Sequence, residues 1–208
     1  MRISSNSLQD GKNISARYAA GKFDGQGGVT FSDNVSPHLV WADVPEATKS
    51  LAIIRHDPDV PSKGDDVNQT DREVPADLPR VDFIHWVMVD LPASLREVTE
   101  GQFSTGFTPR GKAGPATLLN ARHGINDYTG WFAGNADMSG NYFGYDGPFP
   151  PFNDSILHHY VFTVYALDLA KLPVEGNFTG ADVHAAMKGH VLDEACMTGI
   201  YTLNKRLA

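Results

Sequence analysis

The chain has 208 residues, the length of one larger domain or two small ones, and with 41% hydrophobic residues it can bury a sizeable core. Its formal net charge of -8 offers no broad attraction for nucleic acid or anionic membranes, although a local positive spot can still hold a single anion. The one cysteine, Cys196, excludes an intramolecular disulfide and a thiolate-rich metal framework, so a reducing compartment is expected.

The N-terminal Met1-Arg2-Ile3-Ser4-Ser5-Asn6-Ser7 lacks the apolar region of a signal peptide, and no later run reaches membrane-spanning length. A cytoplasmic protein with a single domain over 1–208 is the expectation. Its apolar runs are short, rich in β-branched and aromatic residues, and separated by Gly, Pro, Asn and Asp, which predicts a mainly β (α+β) fold.

In chain order the predicted strands are Ile14 to Tyr18, His38 to Trp41, Leu51 to His56, Val81 to Asp90 and His158 to Asp168. The last three are apolar at successive positions, as in interior strands covered on both faces. Strict alternation places His85 with Phe83, Val87 and Val89, and His158 with Tyr160, Phe162 and Val164. The connection Pro58 to Arg80 is polar and Pro-punctuated. The stretch from Gly101 to Leu157 has little regular pattern but carries Trp131, Phe132, Tyr142, Phe143, Tyr145 and Phe149, as in a packed loop bordering a pocket.

Toward the C-terminus, Thr179-Gly180-Ala181-Asp182 has the form of a capping box, predicting a helix through about Met187. A second helical piece is expected over Val191 to Thr198 with Gly199 as its cap, followed by a terminal strand at Tyr201-Thr202-Leu203.

The candidate site residues are polar groups set into these apolar or turn-forming runs. Histidine and tyrosine donate hydrogen bonds to an oxyanion, and a glycine turn can direct backbone N–H groups inward. His85, His158, Tyr160 and the loop at Gly147 therefore make an anion pocket, with Asp57 orienting an imidazole or holding an amine. Asp57 and two histidines are also the ligand types of zinc or iron sites, yet there is no His-Glu-x-x-His helix and no clustered Cys. An enzyme using His85 or His158 as acid or base is a further alternative. A Gly-x-Ser-x-Gly elbow and a Walker loop are missing. His38, His56, His123, His184 and His190 are isolated in sequence and are expected in surface or packing roles, while Lys63 and Arg80 are solvated charges or attractors of an anion.

Four segments together resemble the phosphatidylethanolamine-binding protein family, in its bacterial Raf-kinase-inhibitor-like subgroup. They are Asp57-Pro58-Asp59-Val60-Pro61, Arg80-Val81-Asp82-Phe83-Ile84-His85-Trp86-Val87, Gly144-Tyr145-Asp146-Gly147-Pro148-Phe149-Pro150-Pro151 and His158-His159-Tyr160-Val161-Phe162-Thr163-Val164-Tyr165-Ala166-Leu167. The resemblance implies a large central antiparallel sheet packed on a smaller one, helices near the C-terminus, and a pocket for phosphate or a phosphorylated small molecule or lipid headgroup. By motif it implies ligand-binding roles for Asp57, Pro61, His85, Gly147, Pro148, His158 and Tyr160. It further implies a regulatory binding function without a cofactor, exerted on a protein partner such as a kinase. A third reading, apart from the resemblance, makes the surface the functional part, through homodimerisation. The pocket loop is longer than in animal members and carries Asp146, an added negative charge near the expected anion site.

Overall fold

The computed structural model describes residues 1–208. Short strands come first: β1 (Arg2–Ser4), β2 (Lys12–Asn13), β3 (Gly21–Phe23), β4 (Val29–Phe31) and β5 (Leu39–Ala42). Two long strands follow, β6 (Ser50–Pro61) and β7 (Arg80–Pro92), then β8 (Glu97–Val98), β9 (Arg122–His123) and the one-turn helix α1 (Tyr128–Trp131). The chain closes with β10 (His158–Leu167), α2 (Gly180–Met187) and β11 (Val191–Tyr201).

Six strands form the main sheet in the order β2-β11-β10-β6-β7-β9, beside a three-stranded sheet β1-β5-β8 and the β3-β4 hairpin. Pairings in the main sheet are antiparallel except that between β11 and β2, so the sheet is mixed at one edge. The mainly β class is as predicted. No helix is long and apolar enough to cross a membrane.

The interior strands are covered on both faces because their side chains alternate between two cores. Leu51 and Ile53 of β6 join Trp41, Trp86, Met88, Phe162 and Val164 on one face. Ala52 and Ile54 join Val87, Val89, Phe178, Val183 and Met187 on the other, beneath α2. Each fully buried isoleucine of this kind contributes about 1.5–3 kcal/mol of transfer free energy. The start of α2 is fixed by the expected capping box, in which Thr179 Oγ1 accepts from Asp182 N at 3.2 Å and Asp182 Oδ2 accepts from Thr179 N at 2.8 Å.

Several expectations need correction. The segment Ile14 to Tyr18 is not a strand: β2 ends at Asn13, and Ala16–Tyr18 is a 3-10 turn. The second C-terminal helix is a strand instead, because β11 pairs along β10 from Val191 to Tyr201. Its burial alternates, with Ala195, Met197 and Gly199 inward and Glu194 and Cys196 outward, a period-2 pattern that satisfies β10's backbone as well as its own. Gly199 caps no helix. A Cβ there would lie 2.4 Å from Ile14 Cγ1, so close packing excludes a side chain. The strand predicted over Leu51 to His56 also runs further, through the Asp57 motif to Pro61.

Candidate functional site

A cavity of about 530 Å³ opens where the C-terminal part of β6, the first half of β7 and the start of β10 meet the long irregular segment. Asp57, Pro61, His85, His158 and Tyr160 line it, so five of the seven predicted residues converge. Aromatic walls come from Phe31, Phe83, Tyr128, Trp131, Phe132 and Phe149, which bears out the reading of the irregular segment as a pocket border. Gly147 and Pro148 are not among the lining residues.

A β-bulge delivers His85. Along the β6–β7 pair Arg55 faces Trp86 and His56 faces Ile84, so β7 carries an extra residue at His85. His85 and Trp86 consequently face the same side, and alternation resumes with Val87 and Val89 on the opposite one. The grouping of His85 with Val87 and Val89 is thereby corrected. Its ring lies 5.5 Å from that of Tyr160 and 5.4 Å from that of Tyr128.

Two buried charge networks support the floor. In the first, His158 donates from Nδ1 to Asp57 Oδ2 at 2.7 Å and from Nε2 to Asp154 Oδ2 at 3.1 Å. Arg80 grips Asp154 with two bonds, Nη1–Oδ2 at 2.7 Å and Nη2–Oδ1 at 3.0 Å. Burial opposes the imidazolium, but hydrogen bonds to Asp154 and Asp57, with their charges, raise the His158 pKa to about 9. His158 is thus a charged tie between two carboxylates, with neither nitrogen left to bind an anion. Asp57 performs the imidazole-orienting task expected of it, and its Oδ1 accepts from Asp59 N at 2.8 Å.

The second network centres on Asp146. Its buried carboxylate accepts from Asn34 Nδ2 at 2.8 Å, Asn126 Nδ2 at 2.9 Å and Lys112 Nζ. Burial raises its pKa against the pull of Lys112. That carboxylate is enclosed rather than aimed at a ligand, contrary to the expectation of an added negative charge at the anion site. Its main-chain oxygen instead accepts from both His85 Nδ1 and Arg55 Nη1, each at 3.0 Å.

His85 is therefore held in the Nδ1–H tautomer, with Nε2 as its free nitrogen. Burial first, and then the charge of Arg55, hold its pKa well below the usual histidine value, so the ring is neutral. The Tyr160 hydroxyl is buried without a hydrogen-bond partner. Burial and the charge of Asp57 keep this phenol well above its usual pKa.

Gly147 acts as a structural junction. Its N–H donates to Asn34 Oδ1 at 2.7 Å and its carbonyl accepts from Tyr128 Oη at 3.1 Å, so that amide does not turn toward a ligand. The Pro148 carbonyl accepts from Ala20 N and Gly21 N. A metal site finds no support in the arrangement. No group of three or more His, Cys, Asp or Glu side chains is disposed to hold an ion, and both His158 nitrogens face carboxylates.

Sequence reasoning missed Asp154, Arg55 and Lys112. Asp154 stands four residues before His158, and Arg55 directly follows the apolar run Leu51 to Ile54 within the predicted interior strand. Each was a visible signal. Lys112 carried none, because only the folded loop brings it to Asp146.

Comparison with known proteins agrees with this architecture. The family model described as phosphatidylethanolamine-binding protein matches residues 4–202. The UPF0098 protein YbhB of Escherichia coli is 32% identical over 202 residues, covering 97% of this chain and all of that protein. A UPF0098 protein of Methanothermobacter thermautotrophicus is 33% identical, covering 97% of this chain and 98% of that one. Among solved structures, Escherichia coli YbcL, described as a member of the mammalian PEBP family, superposes with a TM-score of 0.67 at 27% identity over 97% of both chains. The chain belongs to the phosphatidylethanolamine-binding protein family.

Proposed function

We propose that the protein binds phosphate-type anions, taking phosphate or the headgroup of a phosphorylated small molecule or lipid, and that occupancy rather than turnover is its regulatory output. The observation that carries this reading is the pair of free polar groups at the floor: Nε2 of His85 and the hydroxyl of Tyr160. Beside them both nitrogens of His158 and the carboxylate of Asp57 are already engaged, and the aromatic walls offer an apolar seat for the remainder of a ligand. A singly protonated phosphate matches the floor, because its P–O–H can donate to neutral Nε2 while a second oxygen accepts from Tyr160.

Binding is favoured over catalysis by the lining itself. It contains no Ser, Thr, Cys or Lys, and of its two aspartates Asp57 is tied to His158 and the Asp59 amide while Asp137 lies on the solvent-exposed rim. The pocket is tested by calorimetric titration with phosphate and then phosphorylethanolamine. A charge-assisted hydrogen bond is worth about 1.5–3 kcal/mol, so His85→Ala should weaken phosphate binding about ten- to a hundredfold. Equal affinity in a folded His85→Ala protein sinks the reading. Turnover of phosphoesters that vanishes with His85→Ala would favour instead an enzyme using Nε2 as base.

A further inference from the structure

Arg55 is a buried charge that the pocket's lining does not explain. It is fully buried in β6, where its face of the strand also carries Ile53 and Asp57, and it makes a single hydrogen bond, from Nη1 to the Asp146 main-chain oxygen. Nε and Nη2 have no partner at all. No carboxylate neutralises it, because Asp146 is engaged by Asn34, Asn126 and Lys112, and Asp57 by His158. The guanidinium instead lies over three aromatic rings, 4.5 Å from the centroid of Tyr160, 5.1 Å from Phe162 and 5.3 Å from Tyr145.

An uncompensated cation in a low-dielectric core is costly, and aromatic faces offset only part of that cost. Its placement supplies the compensation. Arg55 lies directly behind Tyr160 and shares the Asp146 carbonyl with His85, the two residues whose free polar groups form the pocket floor. An anion held by the Tyr160 hydroxyl would lie beside the ring that Arg55 covers and would complete the charge balance. Because Arg55 and Tyr160 are both fully buried, the attraction would be less screened than at a surface.

We propose that Arg55 is the charge-positioning residue of the pocket, selecting ligands that place a negative charge at the floor without touching them. This rests on the anion-binding reading of the same pocket. It assigns the residue a role distinct from His85 and Tyr160, which would contact the ligand.

The test titrates inorganic phosphate and phenylphosphonate into the wild-type protein and into Arg55→Lys, Arg55→Met and Arg55→Gln. Loss of the charge should weaken both ligands about tenfold or more, whereas Arg55→Lys should stay within about threefold. Wild-type affinity in a folded Arg55→Met or Arg55→Gln protein overturns the proposal, as does an equal loss in all three variants, which would mark a packing role. Should the neutral variants not fold, the wild-type protein still decides the matter by nitrogen NMR. The Arg55 Nε–H resonance should move in proportion to phosphate saturation, and a resonance unmoved at saturation overturns the proposal. Wild-type protein that binds neither ligand removes the anion pocket itself, an outcome separate from binding that ignores Arg55.

Discussion

His158 Nδ1 lies 2.7 Å from Asp57 Oδ2 in a setting where both side chains are buried, and Asp154 holds the opposite nitrogen of the same ring. The histidine that sequence reasoning offers as an anion donor is therefore a charged strut. Its bonds join β6, β10 and the loop before β10, fixing the shape of the pocket floor from behind. The imidazole at the cavity that keeps a free nitrogen is His85, a neutral ring on a bulge.

Breaking the strut should destabilise the fold. Asp57→Asn leaves an imidazolium with one carboxylate instead of two, and removing one partner of a buried pair costs about 3–5 kcal/mol. Urea denaturation at pH 6 should show a loss of that order, and the His158 pKa should fall below its value of about 9. A variant as stable as wild type, with an unmoved His158 titration, would show that this bond contributes nothing.

The pH dependence of stability follows from the histidines. The folded pKa of His158 is raised, so its contribution is fully present below the unfolded value near 6.5 and is lost as pH climbs through about 9. At about 1.4 kcal/mol per pKa unit this amounts to roughly 3 kcal/mol. His123, buried and lowered to about 4, has the opposite sign: its contribution is present above about 6.5 and lost as pH falls toward 4. His85 is shifted in the same direction as His123. Histidine-linked stability should therefore peak near pH 6.5, and His158→Asn should flatten the alkaline limb. An alkaline limb equally steep in that variant would assign it to other groups.

Phosphate binding should take up protons. His85 is neutral in the empty pocket, and a phosphate dianion offers Nε2 no hydrogen, so one of the two must gain a proton for the bond to form. Above pH 7, calorimetric enthalpies measured in buffers of different ionisation enthalpy should give a slope approaching one proton per ligand, abolished by His85→Ala. A zero slope in the wild-type protein would mean that phosphate enters without this contact.

Gly147→Ala probes the junction rather than the ligand. The new Cβ would fall 2.2 Å from the Tyr18 carbonyl oxygen and 2.8 Å from Ala19 Cα, both backbone atoms that cannot swing aside. Overpacking of this kind costs about 1–3 kcal/mol. The expected signature is a lower denaturation midpoint together with nearly unchanged phosphate affinity in the fraction that remains folded. The reverse pattern, full stability with lost affinity, would return Gly147 to direct ligand binding.

The apolar runs of β6, β7 and β10 were legible because an interior strand must be apolar on both faces, and few other elements tolerate that pattern at such length. The capping box of α2 was legible because it is a local bonding scheme spanning Thr179 to Asp182. β11 was misread because Ala195, Cys196 and Met197 do not oppose a helix, and only the exposed edge of β10 makes a strand the lower-energy choice.

By itself, then, the sequence determined which strands are interior and where α2 begins, and it marked Asp57, His85, His158 and Tyr160 as polar groups in or beside buried strands that must find partners or a ligand. Tertiary structure decided their roles. The bulge that turns His85 onto the site face depends on a register between β6 and β7 that spacing along one strand does not encode. The pairing of His158 with Asp57, and the closeness of Arg55 to Tyr160, arise between strands far apart in the chain. Hydrogen bonds and charges act through space over a few ångströms, so two histidines of the same cavity become a charged strut and a neutral ring with a free nitrogen according to what the fold sets beside them.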